Sequence, residues 1–477
     1  MTALRSLPRD PRSLALATGS ALVLVTLLAS LVVGPVALIL PLAVVVALAL
    51  VQHPAVALGV FVGVVVLAEA EDPLFGTFYA GVLGPLSVTD GLFVLVLAGT
   101  ALQLLRERRP VRLPAVLALP LALLVLAIAG GAVAGYFRGA GATDLFFAAR
   151  QLPYLVLLPV VAVNLLDTRR SVYVCLGAAA GLGIAKAVIG LLSVAAGRGT
   201  TVEGSTITYY EPAANFLMMV LLLGVLAALL LRARVPLWVL LGSPIMLLAL
   251  ALSFRRSFWI GIVLGAVLVV VLGSSPLGRR LLLPTAALVG VAVWLLSSTG
   301  FQSQGPLVER VESLKPSKIE ANAEDRYRFD ERANVLAELR AHPVTGLGLA
   351  VPWSSAARAL PVEHEDGRNY VHSVVLWYWL KLGLLGLLAY LSVMVAAGVL
   401  AYRVWREDRD PLLRAFGLAS LCSLIALAAV ETTASFTGVD QRFTIVLAMM
   451  LGLLAVLCRP EPEEPEPASS APREGAP

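Results

Sequence analysis

This sequence is short of charge. Only 14% of its 477 residues are Asp, Glu, Lys or Arg, where soluble domains carry roughly 25%. That shortfall excludes an ordinary soluble fold. Cysteine is scarce as well: Cys175, Cys422 and Cys458 lie in or at the ends of apolar runs, with neither metal-ligand spacing nor a disulfide framework. The period-2 alternation of an outer-membrane barrel is missing, and no convincing short-period repeat runs along the chain. The first apolar run, from about Leu14, lacks a small-residue cleavage site and reads as a retained span rather than a removed signal peptide.

What fills the chain instead is apolar. Hydrophobic residues make up 59% and the mean hydropathy is +0.88. Fourteen apolar stretches, from 14–33 to 442–458, are read as spans, each close to the roughly 17–25 residues that cross a bilayer as a helix. In lipid every backbone polar group must be paired inside the protein. The predicted fold is therefore all-α, a polytopic integral membrane helical bundle of about 12–14 transmembrane helices, with one long extracytoplasmic loop that contains short helices. The pair 36–52 and 54–69 is the alternative to two full spans, since Gly34-Pro35 and His53-Pro54 suit a re-entrant pair. The expected organisation is a transmembrane bundle over 1–297, the loop over 298–372, further transmembrane helices over 373–458, and a disordered tail over 459–477 rich in Pro, Glu, Ser and Ala.

The formal charge of +5 gives no sign of nucleic-acid binding, because the basic residues sit in short loops where orientation explains them. Arg5, Arg9 and Arg12, then Arg106 to Arg109, Arg169-Arg170, Arg232 with Arg234, Arg279-Arg280, and Arg403 with Arg406 fall on one side if the N-terminus is cytoplasmic. Both termini are then cytoplasmic, in the inner membrane. Segments 70–90, 136–151, 197–212 and 298–372 face out. In the last of these, residues 324–342 read as a helix with Arg328, Arg332, Val335 and Leu339 on one stripe.

Some charges break the orientation pattern. Arg255-Arg256 lies between two spans at the outer face, where arginine costs free energy, up to roughly 2.5–3.5 kcal/mol at mid-helix. The pair either snorkels to headgroups or binds an anion, and the guanidinium fork matches phosphate oxygens. Arg150 ends a span on the same side and is either an interface anchor or part of a site. Lys186 lies within a span and either snorkels or meets a buried partner. His372, one of only four histidines, opens the 373–400 span from outside. Imidazole is the side chain most easily poised to take a proton near neutral pH.

Several motifs on this side, in order, resemble the O-antigen ligase and polymerase superfamily. That family carries R-x-x-x-W before a short helix, then H-P-[LIV]-x-G-x-G, then H-N, then a span with paired glycines. Here Arg328 to Arg332 precedes ANVLAELRA and His342-Pro343-Val344-Thr345-Gly346-Leu347-Gly348. His372-Ser373 follows, then Gly383-Leu384-Leu385-Gly386. Upstream, Arg256-Ser257-Phe258-Trp259 resembles a span entrance of the family, as does Tyr210-Glu211-Pro212-Ala213-Ala214-Asn215. The matched core runs from about 210 to 400. Three positions depart from the pattern: Arg332 stands for the loop tryptophan, Ser373 for the asparagine after the histidine, and Lys381 for an acidic residue nine positions on.

The resemblance implies metal-independent, inverting glycosyl transfer at the outer face, with no cofactor. The donor would be a polyprenyl-diphosphate-linked glycan and the acceptor a hydroxyl on a glycan or lipid-linked molecule, with membrane lipids as the other partners. No DxD-like pair appears in the long loop, in keeping with arginines in place of a metal. The expected catalytic residues are His372, Arg328 and Arg256, and the expected substrate contacts are Arg150, Arg255, Tyr210, Asn215 and Arg368. A transporter is the competing class. Carriers place unusual charges near mid-membrane, whereas here they gather at one face and one loop.

Overall fold

A computed structural model describes residues 47–68, 87–113, 115–197, 200–202, 205–207, 212–253, 255–273, 323–359 and 368–459. The expected spans at 14–33 and 281–297, the acidic stretch Glu69-Ala70-Glu71-Asp72, the candidate Tyr210 and the tail beyond Arg459 lie outside these residues.

The described chain is a bundle of helices. In order they are α1 (Pro54–Leu67), α2 (Val88–Glu107), α3 (Ala115–Phe137), α4 (Ala142–Ala149), α5 (Leu152–Leu165) and α6 (Arg169–Ala195). After a small antiparallel hairpin of β1 (Thr200–Val202) and β2 (Ser205–Ile207) come α7 (Pro212–Leu230), α8 (Leu237–Ala251) and α9 (Arg256–Gly273). Then follow α10 (Ala323–Ala341), α11 (Val374–Glu407), α12 (Pro411–Val430) and α13 (Gln441–Leu457). Among the described residues, seven helices are long and apolar enough to cross a membrane, or eight if α4 and α5, bent by 46°, form one broken span. The shorter apolar helices α1, α8 and α13 pack within the same bundle. This is a multi-pass membrane protein.

Polar caps set where the helices begin. Ser87 and Asp90 form a reciprocal capping box at the start of α2, and the side chains of Asp410 and Asp440 accept backbone N–H groups at the starts of α12 and α13. Each cap satisfies donors that the first helical turn leaves open. The helices then pack sequence-distant pairs together: α3 on α11, α5 on α13, α9 and α7 on α12. Small residues allow close approach, as expected where lipid tails remove the usual hydrophobic drive. Gly452 of α13 lies against Pro159 and Ala162 of α5, and Gly417 of α12 lies against the α11 backbone at Ala401 and Trp405.

The two ends of the bundle differ in chemistry. At one end Arg109, Arg112 and Arg459 surround Asp167, Arg169 pairs with Asp408 at 2.9 Å, and a cleft is lined by Tyr173, Arg232, Arg234 and Asp410. Among the described residues, the loop arginines Arg109, Arg112, Arg169, Arg232 and Arg234 thus share one end. The opposite end holds α10, the start of α11 and the α12–α13 connection, residues 431–440.

Two expectations are corrected here. The stretch read as one span over 373–400 is two helical pieces meeting at Gly383 (φ 71°, ψ −172°), and the inner piece continues to Glu407. The inner piece alone gives about 36 Å of helix, enough to cross, so the nine residues outside it serve the site end. The second concerns α10. Arg332 is exposed, and the buried positions are Glu331, Asn334, Val335 and Leu339. The helix turns a mixed face inward because its polar members have partners there.

Candidate functional site

The break in α11 is the foundation of the site end. In an unbroken helix the Leu384 N–H would donate to the Leu380 carbonyl. Instead Leu384 N–H donates to Val344 O at 2.9 Å, and Leu380 O accepts from Leu347 N–H at 2.6 Å. Both halves of one lost helical bond are therefore taken up by the His342–Gly348 motif, as buried backbone in a membrane protein requires. Gly383 sits in a backbone region that is essentially glycine's alone. At Gly346 (φ 62°) a Cβ would collide with the Leu380 carbonyl. Trp379 Nε1–H donates to Pro343 O at 2.6 Å and the Arg138 guanidinium donates to Gly346 O at 2.6 Å. Lys381 is buried, and its ammonium donates to Val351 O. The motif is thus a plug that seats the loop on a broken helix.

Helix α10 lies over this plug. Asn334 is fully buried, and its amide both accepts from Arg358 N–H and donates to Arg358 O, each at 2.8 Å. Three residues earlier, Glu331 has a side chain only 3% exposed. Its Oε1 accepts the backbone N–H of His372 at 2.6 Å, and its Oε2 lies 2.9 Å from His372 Nδ1. Two phenols flank the imidazole edge-on, Tyr370 at 4.7 Å and Tyr327 at 5.8 Å between centroids. Burial pushes Tyr370 up to about 12, and burial with the nearby Glu331 charge pushes Tyr327 up to about 12. Both therefore stay protonated around neutral pH. The Tyr370 hydroxyl donates to Ser435 O at 3.1 Å, and Ser435 Oγ donates to Val371 O at 2.6 Å, which ties the α12–α13 connection to the same wall.

Arginines approach this wall from two elements. Arg255, just before α9, lies 5.9 Å from the Phe436 ring, and its charge acts on both Tyr370 and Asp440. Arg328 of α10 also acts electrostatically on Tyr370. Burial raises the Asp440 carboxyl, and Arg255 and the α13 N–H groups oppose that rise. Behind Arg255 runs an aromatic column, Phe258–Phe436–Phe443–Phe216, with neighbouring centroids 4.8–5.7 Å apart.

The structure brings His372, Arg328 and Arg255 together around Tyr370 and Glu331. Arg256 is half-buried in the first turn of α9, beside Arg255. The carbonyl of Arg368 accepts from Trp353 N–H at 3.2 Å, so its backbone belongs to the same loop wall. Asn215 is fully buried in the first turn of α7, next to Phe216 of the aromatic column. Arg150 stands to one side, donating to Gln441 Oε1 at 3.0 Å, 3.9 Å from Asp90, and over the Phe147 ring. Lys186 meets a buried partner, donating to the Leu67 carbonyl at 3.1 Å. Together with Arg442, which donates to Ala68 O at 2.6 Å, it supports the C-terminal end of α1.

Residues 241–391, which run from α8 through the broken part of α11, match the family model of the O-antigen ligases. Over that stretch the chain is similar to the O-antigen ligases, which supports the resemblance to the O-antigen ligase and polymerase superfamily. No curated protein gives a significant match. The matched stretch contains Arg255, Arg256, Arg328, Glu331, His342, Arg368, His372 and Gly383. The α12–α13 connection, with Ser435, Phe436 and Asp440, lies beyond it and was missed in the sequence because it reads as a short polar turn between two spans. Glu331 was missed because the stripe drawn on α10 ran through Arg328 and Arg332. Its signal was its spacing of three from Arg328, which puts the two on adjacent parts of one face.

Proposed function

We propose that this protein transfers a glycan from polyprenyl diphosphate to an acceptor hydroxyl at the outer face of the cytoplasmic membrane. The observation that carries this reading is the cluster of one histidine with two arginines, Arg255 and Arg328, at the end of the bundle away from the basic loops. By the positive-inside rule that end faces out, where a lipid anchor can hold a diphosphate at the depth of the α11 entrance.

In the proposed step the acceptor O–H gives its proton to His372 while its oxygen forms a bond to the anomeric carbon. The bond from that carbon to the diphosphate oxygen breaks, and its electron pair leaves with the polyprenyl diphosphate. Attack from the face opposite the leaving group inverts the anomeric centre. Arg328, with Arg255 and Arg256, stabilises the charge growing on the diphosphate, the role a metal ion plays in other transferases. Arg150, Arg368, Asn215 and Tyr210 are proposed to line the path of the donor or acceptor.

General-base assistance contributes about 10²–10⁴-fold. His372→Ala should therefore lose turnover by about that factor while donor binding persists, measured on purified protein with a polyprenyl-diphosphate-linked oligosaccharide. Wild-type turnover in His372→Ala would remove the histidine from the chemistry.

A further inference from the structure

We propose that Glu331 is a positioning residue that holds His372 as its Nδ1–H tautomer, so that Nε2 is the nitrogen facing the reaction. The inference rests on the transfer reading above, and it adds a residue that the motif resemblance leaves without a role.

The argument starts from donor and acceptor counts. An ionised carboxylate has only acceptors. Glu331 Oε1 already receives the backbone N–H of His372, and Oε2 faces Nδ1 of the same residue at 2.9 Å. A bare Nδ1 there would set a lone pair against a buried carboxylate oxygen, so Nδ1 carries the hydrogen. In a neutral ring Nε2 then carries the lone pair, and among the described residues no group hydrogen-bonds it. Ring rotation is limited by Tyr370 and Tyr327, whose planes stand at 84° and 86° to the imidazole. The Tyr327 hydroxyl also bonds Glu331, a third donor on the buried carboxylate. Such satisfaction is what lets a carboxyl group lie under α10 at all. One glutamate therefore locks the backbone at the entrance to α11, the ring orientation and the tautomer. A carboxylate behind an imidazole serves the same ends in nucleophile–histidine–acid triads and in carboxylate–histidine–metal sites.

Glu331→Gln discriminates this role from simple packing. The amide keeps the shape, and its oxygen must stay on the His372 N–H, because a donor cannot face a donor. Its NH₂ group then faces Nδ1, which becomes an acceptor and sends the hydrogen to Nε2. The full chain, labelled with ¹⁵N-histidine in lipid nanodiscs at alkaline pH, reports the tautomer directly. With four histidines in the sequence, the His372 signals are those missing from His372→Ala.

The wild type should show Nδ1–H and Glu331→Gln the opposite tautomer. On a polyprenyl-diphosphate-linked oligosaccharide, kcat of Glu331→Gln should fall by about 10²–10⁴-fold, with KM changed by less than about threefold. Glu331→Asp keeps the charge and should keep Nδ1–H with part of the turnover, so it tests the idea even if the glutamine variant fails to accumulate. An Nε2–H ring in the wild type, or an unchanged tautomer in Glu331→Gln, overturns the proposal. Full turnover in His372→Ala alongside an Nδ1–H wild-type ring would sink the transfer role of His372 while leaving the tautomer assignment standing.

Discussion

At the scale of single residues, the site end is built from side chains whose charge and shape both matter. Arg255, just before α9, and Arg328, on α10, both act electrostatically on the same phenol, Tyr370. A guanidinium offers a planar fork to phosphate oxygens, whereas an ammonium is a point charge. Arg255→Lys and Arg328→Lys should therefore each weaken donor turnover by roughly tenfold or more, the scale of one charge-assisted hydrogen bond, although neither changes net charge. Initial rates on purified variants check this, and full activity in both would take the two arginines out of the donor site. The candidates were legible in the sequence to different degrees. Arg255 and His372 stood out as charged or titratable groups at span ends. Glu331 did not, because its burial under α10 depends on a partner 41 residues away.

At the scale of elements, the broken helix α11 and the His342–Gly348 motif are one device. The motif supplies the acceptor and the donor that the break removes, at Val344 O and Leu347 N–H. Gly383→Ala should strain a backbone that only glycine tolerates, at a cost of about 1–3 kcal/mol. It would also favour a continuous helix that expels the plug. The expected outcome is a lower Tm and faster proteolysis within 341–359, read by thermal unfolding and limited digestion. Unchanged values for both would show that the break does not depend on this glycine. The two motifs were visible in the sequence, but their mutual bonding was not, since nothing in local propensity says that a helix interrupted at one glycine will borrow partners from a loop 33 to 40 residues earlier.

At the scale of the whole molecule, chemistry divides between the two ends. Arg109, Arg112, Arg169, Arg232, Arg234 and Arg459 gather around Asp167, Asp408 and Asp410 at one end, and the His372 cluster occupies the other. If the basic end is cytoplasmic, Ser354→Cys should react with an impermeant thiol reagent in intact cells, and Arg108→Cys only after lysis. Both residues are exposed. The background would lack Cys175, Cys422 and Cys458. The reverse labelling pattern would invert the orientation and with it the outer-face reading.

The sequence by itself determined the class of structure and marked out the basic loops. Membrane burial is enforced by composition over stretches of about 20 residues, and loop charge is a local property, so both can be read without knowing any contact. Only the tertiary structure decided where the long span breaks, that Lys186 and Arg442 support the end of α1, and that Glu331 rather than Arg332 faces inward. Each of these depends on how a polar group removed from water finds a partner. Such partners are supplied by segments far apart in the chain, and only packing brings them within hydrogen-bonding distance.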